Sequence, residues 1–186
     1  MSEAPYRVTA TTEHFTGRVF STITDTVMTP GGATADRDYV RHSGAVAVVA
    51  IDDGGNVVLV RQYRHPVRAV LWELPAGLLD VEGEEPALAA ARELAEEANL
   101  VAGSIEPLIS IRTSPGYSDE RIQIFLARDL SPVGPDHAFE RVFEEATMTT
   151  HLVPLAEALS MVDSGEIVNG VCAVGLLAAG RRLRIP

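Results

Sequence analysis

The spacing of apolar and polar positions changes character at Ser43. Before it, Val19, Phe20, Thr22, Ile23 and Val27 stand among Ser, Thr and Asp. This β-branched, half-apolar pattern predicts strands over Tyr6–Thr11 and Arg18–Met28, with a third over Asp38–His42. Thr29-Pro30-Gly31-Gly32 supplies a turn between them. Beyond Ser43, Gly44–Ile51 is an unbroken apolar run, the signature of a buried strand. Asp52-Asp53-Gly54-Gly55-Asn56 interrupts it, and the apolar signal resumes over Val57–Arg61. The two runs together predict a hairpin. Leu71–Leu74 is a short apolar segment that Pro75-Ala76-Gly77 breaks.

The strongest helical signal is Glu85–Ala98. Pro86 suits its first turn, where a missing N–H costs nothing, and Asn99 suits the left-handed position just past its end. Leu108–Arg112 and Ile122–Ala127 predict strands joined by the polar loop Thr113–Glu120. Leu130–Glu145 predicts a long acidic loop, a length that in compact domains often serves function. Met148–Val153 predicts a strand, and Pro154–Val162 and Ile167–Ala179 predict helices. The sum is an α+β or mixed α/β fold with helices on a mixed sheet. A small antiparallel sheet, residues 1–42, is expected in front of a main domain of residues 43–186.

Composition narrows the functional classes. At 186 residues the chain is long enough to bury roughly 70% of its unfolded surface without disulfides. Hydrophobic residues make up 46% and charged residues 22%, which excludes a disordered chain, a collagen repeat and a coiled-coil rod. No apolar run approaches the ~20 residues of a membrane span, and the N-terminus has neither basic head nor apolar signal core. The formal net charge of -11 repels a phosphate backbone and argues against nucleic-acid binding. It does not argue against a phosphorylated small molecule with divalent cations between. The single cysteine, Cys172, sits among Val171, Ala173 and Val174, as expected of a buried thiol in a reducing cytoplasm. His65, His137 and His151 have no ligand-like helical spacing.

Candidate chemistry concentrates in Arg92-Glu93-Leu94-Ala95-Glu96-Glu97. With about 100° per residue, Glu93, Glu96 and Glu97 share one side of the helix, and Leu88, Ala91, Ala95 and Ala98 are expected to form the buried side. An arbitrary string of this kind reads as a solvated helix face. The alternative is a hard-cation site, because carboxylates on one rigid element supply the oxygen ligands that Mg²⁺ prefers. Glu84 and the carbonyls around Gly77 stand close enough in sequence to join.

The surrounding residues favour the second reading. Gly77–Leu100 resembles the Nudix box of Nudix hydrolases, G-x5-E-x7-R-E-U-x-E-E-x-G-U with U apolar. From Glu84 through Glu97 the spacing matches, and Leu100 fills the last apolar place. Two departures stand out: six residues rather than five separate Gly77 from Glu84, and Asn99 replaces the last glycine. The extra residue falls in a turn, where length changes cost little, and neither departure removes a carboxylate.

The resemblance implies an α/β/α sandwich that uses Mg²⁺, or alternatively Mn²⁺, to hydrolyse a nucleoside diphosphate linked to a second moiety. It makes Glu93 and Glu97 the main metal ligands, assisted by Glu96 and the backbone at Ala76 and Gly77, with Arg92 holding the glutamates. The flanks are similar to the ADP-ribose pyrophosphatase subfamily. Arg61-Gln62-Tyr63-Arg64-His65 and Trp72-Glu73-Leu74-Pro75-Ala76-Gly77 precede the box, and Pro115 stands sixteen residues past Asn99.

On this basis Tyr63, Arg64, Trp72, Glu73, Pro115, Gly116 and Glu120 are expected around the substrate, with Phe20 or Tyr63 stacking on adenine. Glu144, or its neighbour Glu145, is expected to position the attacking water. The implied reaction converts ADP-ribose to AMP and ribose 5-phosphate, and the implied assembly is a cytoplasmic homodimer joined through the N-terminal sheet. A nucleotide sugar such as GDP-mannose, or an oxidised nucleotide, is the alternative substrate. A non-catalytic nucleotide-binding module is the alternative class, disfavoured because all the box carboxylates are kept.

Overall fold

The structure, a computed structural model, describes residues 6–134 and 147–185. These fall into two compact units, one comprising the residues up to Gly44 together with Arg112–Arg121, the other Ala45–Ile111 with the residues from Ile122 onward.

The first unit is built on β1 (Arg7–Thr16), β2 (Phe20–Met28) and β3 (Thr34–His42), an antiparallel sheet in that order. Its cross-strand pairs are polar ladders. Thr11 donates to Asp25 at 2.6 Å, Thr24 to Asp38 at 2.6 Å and Thr26 to Asp36 at 2.8 Å. Of the residues in these strands, Ile23 alone is buried. The loop Arg112–Arg121 is tied to β3 through a parallel bridge of Val40 with Ser118 and a bond from the His42 amide to Asp119 at 2.8 Å.

The second unit is a three-layer sandwich. Its middle layer holds two sheets. In one, β4 (Ala45–Ala50) runs antiparallel to β7 (Ala76–Leu78) and parallel to β9 (Arg121–Pro132), with β8 (Leu100–Arg112) on the far side of β9. In the other, β5 (Asn56–Arg64) lies between β10 (Thr149–Pro154) and β6 (Ala69–Glu73), antiparallel to both.

The expected hairpin is therefore corrected. After one antiparallel bridge, Ile51 with Val57, β4 and β5 part into different sheets. The physical reason is that both edges of β4 are already taken, by β7 and β9, and both edges of β5 by β10 and β6. Asp52 anchors the connecting turn by accepting from the Asn56 amide at 2.8 Å and its side-chain nitrogen at 2.9 Å.

The alternation along β4 assigns the layers. Ala45, Ala47, Val49 and Ile51 pack with Leu155, Ala158, Met161, Cys172, Leu176 and Ala179 of α2 (Leu155–Asp163) and α3 (Gly170–Leu183). Val46, Val48 and Ala50 pack with Ala89, Ala90, Leu94 and Ala98 of α1 (Pro86–Ala98). A strand covered on both sides has no polar face, which explains the unbroken apolar run. At Gly175 of α3, an added Cβ would lie 2.6 Å from the Leu74 side chain, so the helix approaches the sheet too closely for a larger residue.

Candidate active site

The site grows from the end of β7 and the face of α1. Glu85 stands at the N-cap and Pro86 at the first position, and Asn99 closes the helix at φ 55° with its N–H on the Ala95 and Leu94 carbonyls. The left-handed closure expected of Asn99 is present. Of the expected buried face only Ala98 is buried. Leu88 is 63% exposed, Ala91 and Ala95 are half-buried, and the buried residues are Ala89, Ala90, Glu93, Leu94, Glu97 and Ala98. Glu93 and Glu97 thus share the face that packs against the sheet. Hydrophobicity alone put leucine inward, whereas the alanines allow α1 to lie close to β4 and β7 with two carboxylates between.

Those carboxylates are held from several sides. Glu97 accepts from the Ala76 amide at 2.9 Å, and its own backbone carbonyl accepts from Thr150 Oγ1 of β10 at 3.3 Å. Glu93 lies against the backbone at Gly77: a Cβ there would sit 2.0 Å from its carboxyl carbon. A side chain at 77 would have to displace the Glu93 carboxylate from this position. Arg92 gathers three acids, donating to Glu84 at 3.0 and 3.1 Å, to Glu93 at 2.6 Å and to Glu96 at 3.3 Å.

The hydrogen bonds that Arg92 donates to Glu84, and then the charge of Glu93, hold its guanidinium above its ordinary pKa against the opposing effect of burial. Arg92 in turn holds the Glu84 carboxyl below the usual range, chiefly by hydrogen bonding. The partnership expected of Arg92 is therefore formed, and it extends to Glu84. One guanidinium against three carboxylates leaves two negative charges over these four groups (3 − 1).

Among the described residues, no three such donors stand in a ready metal-binding arrangement. The carboxylates face Arg92 and the Ala76 amide instead. The chemistry of the donor set nonetheless fits a hard divalent cation. Every side chain is a carboxylate, the backbone at Gly77 is in reach of Glu93, and the net charge is negative.

A second charged group lies on the same layer. Arg64, at the end of β5, donates to Glu73 from Nε at 2.9 and 3.1 Å and from Nη2 at 2.6 Å. Tyr63 meets His65 at 3.4 Å between its hydroxyl and Nδ1. Trp72 lies on the other face of β6 from Glu73. It packs against the core under α2 and α3, donates from Nε1 to Glu166 at 3.1 Å, and holds Arg61 over its ring at 5.0 Å and His151 edge-on at 4.9 Å.

Pro115 and Gly116 belong to the first unit, where with Arg37, Tyr39, Arg112 and Tyr117 they line a cavity of about 510 Å³. Glu120, in that same unit, accepts from Thr113 Oγ1 and lies 3.7 Å from His42 Nε2. Phe20 packs against Phe15, with ring centroids 6.0 Å apart. Glu144, Glu145 and His137 lie outside the described residues.

The sequence reading missed three contributors: the β7 strand that presents the Ala76 amide, the buried Gln62, and Thr150. Thr150 has no motif to mark it, since its role depends on β10 pairing beside β5. Cys172 is buried, and desolvation, then the charge of Glu73, pushes its thiol up to about 12. No nucleophile is available there.

Comparison with known proteins agrees with this geometry. The NUDIX domain family matches residues 41–169. The chain is 47% identical over 178 residues to the ADP-ribose pyrophosphatase of Mycobacterium tuberculosis, covering 96% of this chain and 84% of that protein. It is 35% identical over 162 residues to the ADP-ribose pyrophosphatase of Bacillus subtilis, covering 87% and 85%. A crystal structure of an ADP compounds hydrolase superposes with a TM-score of 0.79, covering 99% of this chain and 97% of that one at 22% identity. That last likeness speaks to the fold.

Proposed function

The chain belongs to the NUDIX family, and from that premise we propose that it hydrolyses the pyrophosphate bond of ADP-ribose to AMP and ribose 5-phosphate. The observation that carries the reading is the carboxylate cluster around Arg92, complete in a chain this similar to ADP-ribose pyrophosphatases. In the reaction a water oxygen joins one phosphorus, the bridging P–O bond breaks, and the bridging oxygen leaves on the other phosphate.

Glu93, Glu96 and Glu97, with the backbone at Ala76 and Gly77, would hold Mg²⁺. When bound, it offsets charge on the phosphate oxygens and makes water more acidic. The chain's own residues set the geometry. Arg92 fixes Glu84, Glu93 and Glu96 by charge-assisted bonds and holds the Glu84 carboxyl below its usual range. The Ala76 amide orients Glu97. Arg64 is assigned to the substrate phosphates, which a planar guanidinium pairs well. Tyr63, Pro115, Gly116 and Glu120 are assigned to the nucleoside and the terminal ribose, and Glu144, with Glu145 as the alternative, to the attacking water; Trp72, packed on the α2 and α3 side of β6, is left out of the pocket wall.

The N-terminal sheet is proposed as a homodimer surface, supported by the exposure of Tyr6, Val8, Phe15, Val19 and Phe20. A cytoplasmic location accords with the single buried thiol, and among the described residues no helix is long and apolar enough to cross a membrane.

Comparing kcat/KM for ADP-ribose, GDP-mannose and an oxidised nucleoside triphosphate tests the substrate. ADP-ribose is expected to rank first. A higher value for either of the others would keep the chemistry and discard this substrate.

A further inference from the structure

Glu73 stands apart from the other carboxylates of the site. It is 3% exposed, and no other charged partner of its carboxylate is seen among the described residues than Arg64. A carboxylate in a sheet interior is costly unless it is well bonded. Both of its oxygens are used by one guanidinium, through Nε and Nη2. The Arg64 side chain is in contrast 44% exposed. The pair is therefore asymmetric, with an anchor inside and a working end outside.

The register places this pair on the side of α1. Glu73 stands opposite Val60 and Arg64 opposite Ala69, so Arg64, Gln62 and Val60 share one face of β5 with Val58. Val58 packs with Ala90 and Leu94 of α1. Thr150, opposite Val60 on the other flank of β5, bonds the Glu97 carbonyl. To reach Glu73, opposite Val60, the Arg64 side chain runs back along this face.

We propose that Glu73 is a positioning residue that fixes the Arg64 guanidinium for the substrate's phosphates and does not itself touch substrate. The inference rests on the reading that Arg64 binds those phosphates. An exposed arginine left to itself samples many rotamers, and each is frozen at a cost when an anion binds. A buried carboxylate gripping Nε and Nη2 fixes the plane of the group beforehand, so a pyrophosphate meets a donor already oriented. Because the Arg64 side chain is itself 44% exposed, loss of Glu73 leaves no fully buried charge behind, and the substituted chain is expected to fold.

The test is a kinetic cycle of Arg64→Gln, Glu73→Gln and the double variant, each with KM, kcat and a thermal midpoint. Arg64→Gln is expected to raise KM for ADP-ribose by roughly tenfold or more, and Glu73→Gln by roughly tenfold, both rises exceeding any fall in kcat. The double variant is expected to match Arg64→Gln alone, and Glu73→Asp to restore part of the affinity. A raised KM in Arg64→Gln with none in Glu73→Gln overturns the positioning role. Fully additive effects overturn it as well, since Glu73 would then act independently. A lowered midpoint with KM unchanged in Glu73→Gln means the pair is only structural. No change in KM in either variant removes Arg64 from the phosphates, and the inference falls with that reading.

Discussion

The two sheet systems of this molecule solve the problem of burial in opposite ways. In the second unit, β4 and β5 are covered on both faces, and their side chains divide between two apolar clusters, one under α1 and one under α2 and α3. In the first unit, three strands of similar or greater length bury Ile23 alone, and their neighbouring strands are joined by Thr–Asp ladders. The hydrophobic effect scales with apolar area removed from water, so the second unit carries its own stability. The first leaves Tyr6, Val8, Phe15, Val19 and Phe20 exposed. Chemistry follows the same division, because a carboxylate cluster is held to close tolerance only where the framework behind it is rigid.

Four tests probe this contrast, in falling order of effect. Glu97→Gln removes a charge from the face that packs on the sheet and weakens the hold on the Ala76 amide. Turnover should fall on the order of a hundredfold or more with little change in thermal midpoint; retained activity would detach α1 from catalysis. Leu94→Ala should cost about 2–5 kcal/mol in urea unfolding, whereas Thr26→Val in the first unit should stay within about 0.5 kcal/mol. Equal costs would erase the distinction between the two sheets. Phe15→Ser combined with Phe20→Ser should weaken self-association, by about 1–2 kcal/mol per ring if each is buried in the dimer, without lowering kcat per intact dimer. Sedimentation equilibrium reads this, and an unchanged association constant would remove the sheet from the interface.

The smallest effect is at Cys172. Its folded pKa is raised to about 12, so it favours the folded state below the ordinary thiol range. That contribution is lost as pH rises from that range toward about 12. Stability should therefore decline with a slope of up to one proton on the alkaline side. A Cys172→Ala variant should lack that slope, and a wild-type curve with the same profile as the variant would contradict it.

Much of this was legible in the chain. The apolar run at β4, the helix from Pro86 and its Asn99 closure follow from periodicity and end chemistry. The acid spacing pointed to α1 as the carboxylate-bearing helix. What was not legible depended on register or on distant partners. Leu88 reads as a core residue until α1 is seen to lie close to the sheet on alanines, with Glu93 and Glu97 turned inward. β7 was hidden because Pro75 and Gly77 look like breaks, although Gly77 leaves the room that the Glu93 carboxylate occupies. Arg64 and Glu73 meet only because β5 and β6 pair in one register. Trp72 finds Glu166 across 94 positions of sequence, which no local pattern could indicate.

The most direct test of the account is a product assay with ADP-ribose and excess Mg²⁺, run on the wild type and on Glu97→Gln confirmed to be folded. The account predicts AMP and ribose 5-phosphate in equal amounts from the wild type and their near disappearance in the variant. Undiminished products from Glu97→Gln, or none from the wild type while other nucleoside diphosphate derivatives are also left intact, would contradict it.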